Sequence, residues 1–162
     1  MQTSSPTLLG EARIAELVRA YLIAEYRWEL DGHWLHVRIG EPTPEVWAHF
    51  PDARSVGLIT AWDPNSIPRL EAVNRQADQT LYRELVEAGL VCRAAFSSAA
   101  NRSWREPSWL VAGMTADHFD ALSRRYGQLA TLYWMPDTPV RMRVDAARPL
   151  DFEGDDAIDW LK

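Results

Sequence analysis

The chain has 162 residues, 47% hydrophobic and 25% charged, enough for one soluble globular domain with one sizeable core. Eight Trp exclude extended disorder, because large aromatics supply core area. Of the net charge of −6, residues 151–162 carry −4, so the body is almost neutral and lacks the phosphate-neutralising surface that non-specific nucleic-acid binding needs.

In chain order, residues 1–7 are polar and are expected to be a flexible N-terminus. From Leu8 to Tyr21, apolar residues at Ile14, Leu17, Val18 and Tyr21 keep the spacing of one helical face. Ala24, Tyr26, Trp28 and Leu30 then alternate with charged residues, which predicts a strand. Asp31-Gly32 is a hairpin signal, and His33 to Ile39 is the returning strand. A short helix is expected over Pro44 to Phe50.

The stretch Gly57-Leu58-Ile59-Thr60-Ala61 has the composition of a buried central strand, and Asp63-Pro64-Asn65-Ser66 supplies turn chemistry where it stops. Polar groups delivered to the carboxyl end of a rigid strand are a common way to build a site. The longest predicted helix runs from Arg69 to Ala88, ended by Gly89. Leu90 to Phe96 is a strand and Ser97 to Pro107 a loop. Trp109 to Gly113 returns to strand, and Thr115 caps a helix that stops at Gly127. Leu129 to Met135 and Val140 to Val144 are the last predicted strands.

These elements predict an α+β fold: a single domain over residues 8–150, with one mixed, mainly antiparallel sheet and three to four helices packed largely on one face. The acidic C-terminal tail, residues 151–162, interleaves Phe152, Ile158, Trp160 and Leu161 with five carboxylates. It folds back, dangles or docks on a basic partner.

Three separated patterns carry a resemblance. They are Ile59-Thr60-Ala61-Trp62-Asp63-Pro64-Asn65-Ser66 followed by Asn74, then Trp104-Arg105-Glu106-Pro107-Ser108, then Tyr126-Gly127-Gln128-Leu129-Ala130 leading into Tyr133-Trp134. From about Tyr21 to Val144 the chain resembles a bacterial family of short proteins catalogued as domain of unknown function 3293. The resemblance implies a single compact domain and no particular activity. Asp63 stands where the family has Asn before the Pro, and Leu129 where Asn follows the Gln. If an amide serves at that first position, Asp63 is a turn-former there and not a general base.

Each candidate residue has a structural reading beside a functional one. Asp63, Asn65 and Ser66 form the turn and cap the next helix, or face a ligand as well. A helix starting near Ser66 would offer free N–H groups to an anion. Asn74 ties helix to loop or points back to the same turn. Glu106 is the candidate catalytic carboxylate, because an aromatic neighbour such as Trp104 desolvates a carboxyl and raises its pKa. Its structural alternative is a salt bridge to Arg102, Arg105 or another Arg. Ser108 lacks a Gly-x-Ser-x-Gly context, so a hydroxyl bonded to backbone is favoured over a nucleophile. The Gln128 amide reaches a ligand or satisfies a strand end. Trp62 and Trp104 wall a pocket or belong to the core, where Trp28, Trp34, Trp47, Trp109 and Trp134 are expected.

The four His do not cluster, so no metal site is expected, and without a Gly-rich phosphate loop no cofactor is implied. A lone Cys92 and the lack of a long apolar run point to a cytoplasmic protein with no membrane span. Two functional readings follow. One is a pocket at the end of the central strand for a small polar ligand, a nucleotide-like one included, framed by Asp63, Asn65, Ser66, Asn74, Trp62, Trp104, Ser108 and Gln128, with Glu106 as acid or base. The other is an acidic interaction module, inhibitor or immunity-like, that meets a protein partner through exposed Trp residues and the tail.

Overall fold

The computed structural model describes residues 9–162 apart from Arg102; the expectation for residues 1–7 lies outside the described residues. Helix α1 (Glu11–Ile23) leads into the hairpin of β1 (Glu25–Leu30) and β2 (His33–Val37). Asp31 and Gly32 turn that hairpin with φ of 51° and 82°, the left-handed pair that matches strand twist. Then follow α2 (Pro44–His49), β3 (Val56–Ile59), α3 (Glu71–Glu87), β4 (Val91–Ser98) and β5 (Arg105–Ala112). The chain continues through α4 (Ala116–Arg125), β6 (Ala130–Trp134), β7 (Arg141–Val144) and β8 (Ile158–Trp160). Among the described residues no helix is long and apolar enough to cross a membrane.

The eight strands form one sheet in the order β2-β1-β4-β5-β3-β6-β7-β8, curled as a half-barrel. Every neighbouring pair is antiparallel except β7 and β8, so the sheet is mixed and mainly antiparallel, and the fold is α+β. Strand β3 lies inside it, paired to β5 on one side and β6 on the other.

All four residues of β3 are buried, and that decides how the layers stack. Val56 and Leu58 enter a core that holds Leu17 and Val18 of α1 and Val46 of α2. Ile59 enters a second core with Leu81 and Leu85 of α3 and Phe119 and Leu122 of α4. Gly57 lies under the Phe119 ring, which a Cβ at that position would overlap. Helices therefore cover both faces, two on each, which corrects the expectation of helices largely on one. The physical reason is that a strand apolar on both sides needs cover on both sides.

A second correction concerns the expected loop from Ser97 to Pro107. Strand β4 runs through Ser98 and β5 starts at Arg105, with all eight residues of each in register. Ser, Arg, Glu and Pro are weak strand formers, and neighbouring contacts override them. The Arg105 guanidinium stacks 3.8 Å from the Phe96 ring centroid, for example.

The C-terminal segment contributes structure of its own. Ile158 to Trp160 pair in parallel with Met142 to Val144. Arg141 donates to both carboxylate oxygens of Asp159, at 2.8 to 3.2 Å. Phe152 and Ile158 are buried in the first core, packed with Met142 and Val144.

Candidate functional site

The chain leaves β3 through Thr60, whose hydroxyl donates to the Pro107 carbonyl at 2.8 Å and accepts from the Trp62 N–H at 3.0 Å. It then makes a tight corner in which Asp63, Asn65 and Ser66 all have positive φ, at 38°, 56° and 56°. Asp and Asn tolerate the left-handed region through local side-chain bonds, whereas Ser gains less there. Left-handed residues clustered this closely store strain, which persists only where the surroundings hold it.

Those surroundings are the other motif residues. Buried Asn74 of α3 accepts from the Asp63 N–H at 2.9 Å and donates to Asp63 Oδ1 at 2.7 Å. Arg69 binds Asn74 Oδ1 through Nε at 2.5 Å and the Ala61 carbonyl through Nη2 at 2.8 Å. Gln128 donates to the Trp62 carbonyl at 3.0 Å, and the Asn65 N–H donates to the Gly127 carbonyl at 2.7 Å. A Cβ on Gly127 would lie 2.7 Å from Pro64 Cβ, so only glycine lets the two corners meet this closely. Helix α3 starts at Glu71, beyond the corner, so the expected free N–H groups at Ser66 do not form a helix terminus.

Against this corner, on the face of the first core, lies a cavity of about 80 Å³. Strand register builds its floor. Tyr26, Ser97 and Glu106 are cross-strand neighbours on β1, β4 and β5, and Ser108 follows two residues after Glu106 on the same side. Asp63, Ser66 and Gln128 close one end, Trp104 another, and Tyr21 from the last turns of α1 bonds to the Ser66 hydroxyl. Tyr26 donates to the Tyr21 carbonyl at 2.6 Å.

The electrostatics of this cavity are unusual. Burial, and then the nearby Asp63 carboxylate, push Glu106 up from an ordinary 4.5 to about 7. Tyr21 and Tyr26 are also pushed up, chiefly by burial, with the Glu106 charge adding to both. Among the described residues Glu106 makes no side-chain hydrogen bond or ion pair. Arg105 points to the opposite face, against Phe96 and Trp34, and Arg102 lies outside the described residues. Ser108 is only 8% exposed, and its hydroxyl has no partner among the described residues. The Glu106 carboxyl and the Ser108 hydroxyl are therefore open to a hydrogen-bonding partner that enters the cavity.

Of the residues singled out from sequence, Asp63, Ser66, Trp104, Glu106, Ser108 and Gln128 line this one cavity. Asn65 and Asn74 do not; they hold the corner from behind. Trp62 lines a groove on the opposite face with Trp34, Phe96 and Trp109, and Trp34 is 42% exposed instead of core. Sequence reasoning missed Tyr21, Tyr26 and Ser97. Their only sequence signal is helical or strand periodicity, and strand register is what delivers them to Glu106. No group of His, Cys, Asp and Glu among the described residues is arranged to hold a metal ion.

No curated protein and no solved structure matches the chain. Over residues 59–131, a span that takes in the strained corner, Asn74, Glu106 and Gln128, the chain matches the family model described as Protein of unknown function (DUF3293), the same family that its motifs resemble.

Proposed function

We propose that this protein binds a small polar ligand in the cavity beside the Asp63–Ser66 corner, with Glu106 as the group that exchanges a proton with it. The observation that carries this reading is a Glu106 carboxyl and a Ser108 hydroxyl, both without a partner among the described residues and both facing one cavity. A carboxyl titrating near 7 is equally able to give and take a proton at neutral pH. The volume of about 80 Å³ is that of a few water molecules, at roughly 30 Å³ each, and favours a small head group. A whole nucleotide exceeds it.

The alternative, an acidic interaction module, finds less support. Phe152 and Ile158, the apolar half of the tail, are buried in their own domain, and Asp159 is engaged by Arg141. Trp34 and Trp104 remain exposed, at 42% and 41%.

The test is an NMR titration of the isotopically labelled protein with a set of small neutral and charged fragments. At least one fragment is expected to shift the Trp104 indole N–H together with the amides of Ser66, Glu106 and Ser108, in a saturable way. Ser108→Leu, which fills the cavity from the strand floor, is expected to abolish those shifts while leaving the rest of the spectrum in place. Shifts that persist unchanged in Ser108→Leu, or no saturable shift with any fragment, overturn the reading.

A further inference from the structure

We infer that the ligand of this cavity is a cation, a small alkylammonium or guanidinium head group held between Asp63 and Glu106. This rests on the small-ligand reading above and adds the sign of the charge. Among the described residues the cavity wall contains two carboxylates and no Lys, Arg or His. Asp63 uses Oδ1 for Asn74 and the Arg69 N–H, and Oδ2 makes no hydrogen bond or ion pair among the described residues.

The cations of the described residues nearby are committed elsewhere. Arg69 is tied to the Ala61 carbonyl and Asn74 behind the corner. Arg13 on α1 pairs with Glu16 at 3.0 Å, and Arg105 stacks on Phe96 across the sheet. Two carboxylates therefore share a partly dry space with no counter-charge among the described residues of its wall, and an anion entering would add a third like charge.

The remaining wall chemistry suits the same ligand. Ser108 is a buried residue, 8% exposed, and its hydroxyl, unpartnered among the described residues, is free to accept from an N–H donor independently of the carboxylate pair. Tyr21, Tyr26 and Trp104 supply aromatic surface of the kind that attracts ammonium and guanidinium groups. A cation also reverses the pressure on Glu106, because it favours the ionised carboxyl that burial and Asp63 oppose. Binding should then release a proton, and affinity should rise as pH passes through 7. The groups that face Glu106 and take part in this linkage are Asp63, Tyr21 and Tyr26. Both tyrosines are pushed above their ordinary values and stay neutral through that range.

The experiment is an NMR titration of the full chain at constant ionic strength with four probes: methylguanidinium, n-propylammonium, acetamide and acetate. The two cations are expected to saturate the Trp104 indole and Ser108 amide shifts at concentrations about tenfold lower than acetamide, and acetate is expected to leave them unmoved. Cation affinity should increase about tenfold from pH 6 to pH 8, following the fraction of ionised Glu106.

Glu106→Gln should flatten that pH dependence, and Asp63→Asn should weaken cation binding while its amide preserves the turn. Acetamide or acetate binding as tightly as the cations overturns the inference. So does undiminished cation affinity in the doubly substituted Asp63→Asn, Glu106→Gln protein. If neutral or anionic probes bind and cations do not, the small-ligand reading survives and the charge assignment alone falls. If none of the four moves the cavity resonances, both fall together.

Discussion

Glu106 combines two unfavourable circumstances, a carboxyl withdrawn from water and a second carboxylate close enough to oppose its ionisation. Its folded value of about 7 lies above its ordinary 4.5, so between those pH values the folded chain keeps a proton that the unfolded chain has released. The stabilising contribution is full below about 4.5 and is lost as pH rises through 7. At about 1.4 kcal/mol per pKa unit, the loss is on the order of 3 kcal/mol. Glu106→Gln removes the titration and keeps the shape. Urea unfolding at several pH values should show wild type losing stability from pH 5 to 8 while the Gln variant holds level, leaving the variant more stable at pH 8 by about 2–3 kcal/mol. Parallel curves for the two proteins would mean that another group sets the pH response. The sequence pointed to Glu106 because Trp104 stands beside it. In the fold, burial among the strands and the charge of Asp63 raise it, while Trp104 is 41% exposed at the cavity wall. Residue type, neighbourhood and a pocket shared with Asp63 were legible there; the effect of that second carboxylate on Glu106 was not, because only folding sets how near position 63 lies to position 106.

At the scale of elements, the corner after β3 is held by groups that reach it from α3 and from the end of α4. Asn74 is the centre of that clasp, 2% exposed, with Asp63 bonded to both ends of its amide and Arg69 bonded to its oxygen. Asn74→Ala leaves the Asp63 N–H and the Arg69 Nε–H without their acceptor inside the protein. The expected cost is about 2–4 kcal/mol in urea unfolding, since buried polar groups left unpaired cost about 1–3 kcal/mol each. The same variant should make the Asp63 to Ser66 amides exchange hydrogen faster than the strands, because the bond from the Arg69 N–H to Asp63 Oδ1 is then what remains to hold Asp63 from that side. An Asn74→Ala protein within 0.5 kcal/mol of wild type would show that the corner holds its shape alone. The sequence displayed the turn chemistry of Asp-Pro-Asn-Ser and the helix-breaking Gly127. It did not display their contact, because the bond from the Asn65 N–H to the Gly127 carbonyl joins distant stretches and leaves no periodic trace. The β4–β5 hairpin escaped for a related reason: its polar residues pair well only once Phe96 and Arg105 are stacked.

For the whole molecule, the main lesson is in the four buried residues of β3, which demanded two layers of helices and received them. The same accounting extends to the acidic C-terminal segment, for which the sequence left folding back, dangling and docking on a partner open. Phe152 is 5% exposed, meets the Trp160 ring edge-on at 5.3 Å, and has the Arg19 guanidinium 5.3 Å from its ring centroid. Removing that side chain should therefore act on the core of the whole domain and not on a separable tail. Phe152→Ala is expected to cost about 3–5 kcal/mol, the range for deleting a buried aromatic. Asp159→Asn weakens a pair whose side chains are each about one-third exposed, at 31% and 33%, and should cost no more than about 1 kcal/mol, less in high salt. Both variants should unfold in one transition by fluorescence and by circular dichroism, since β8 shares its hydrogen bonds with β7 and its core with α1. A Phe152→Ala protein as stable as wild type would mean that the segment lifts off freely and would return the interaction reading to the front. The opposite outcome, a large loss of stability together with an intact Asp63–Glu106 response to pH in the surviving folded fraction, would separate what closes the sheet from what furnishes the cavity.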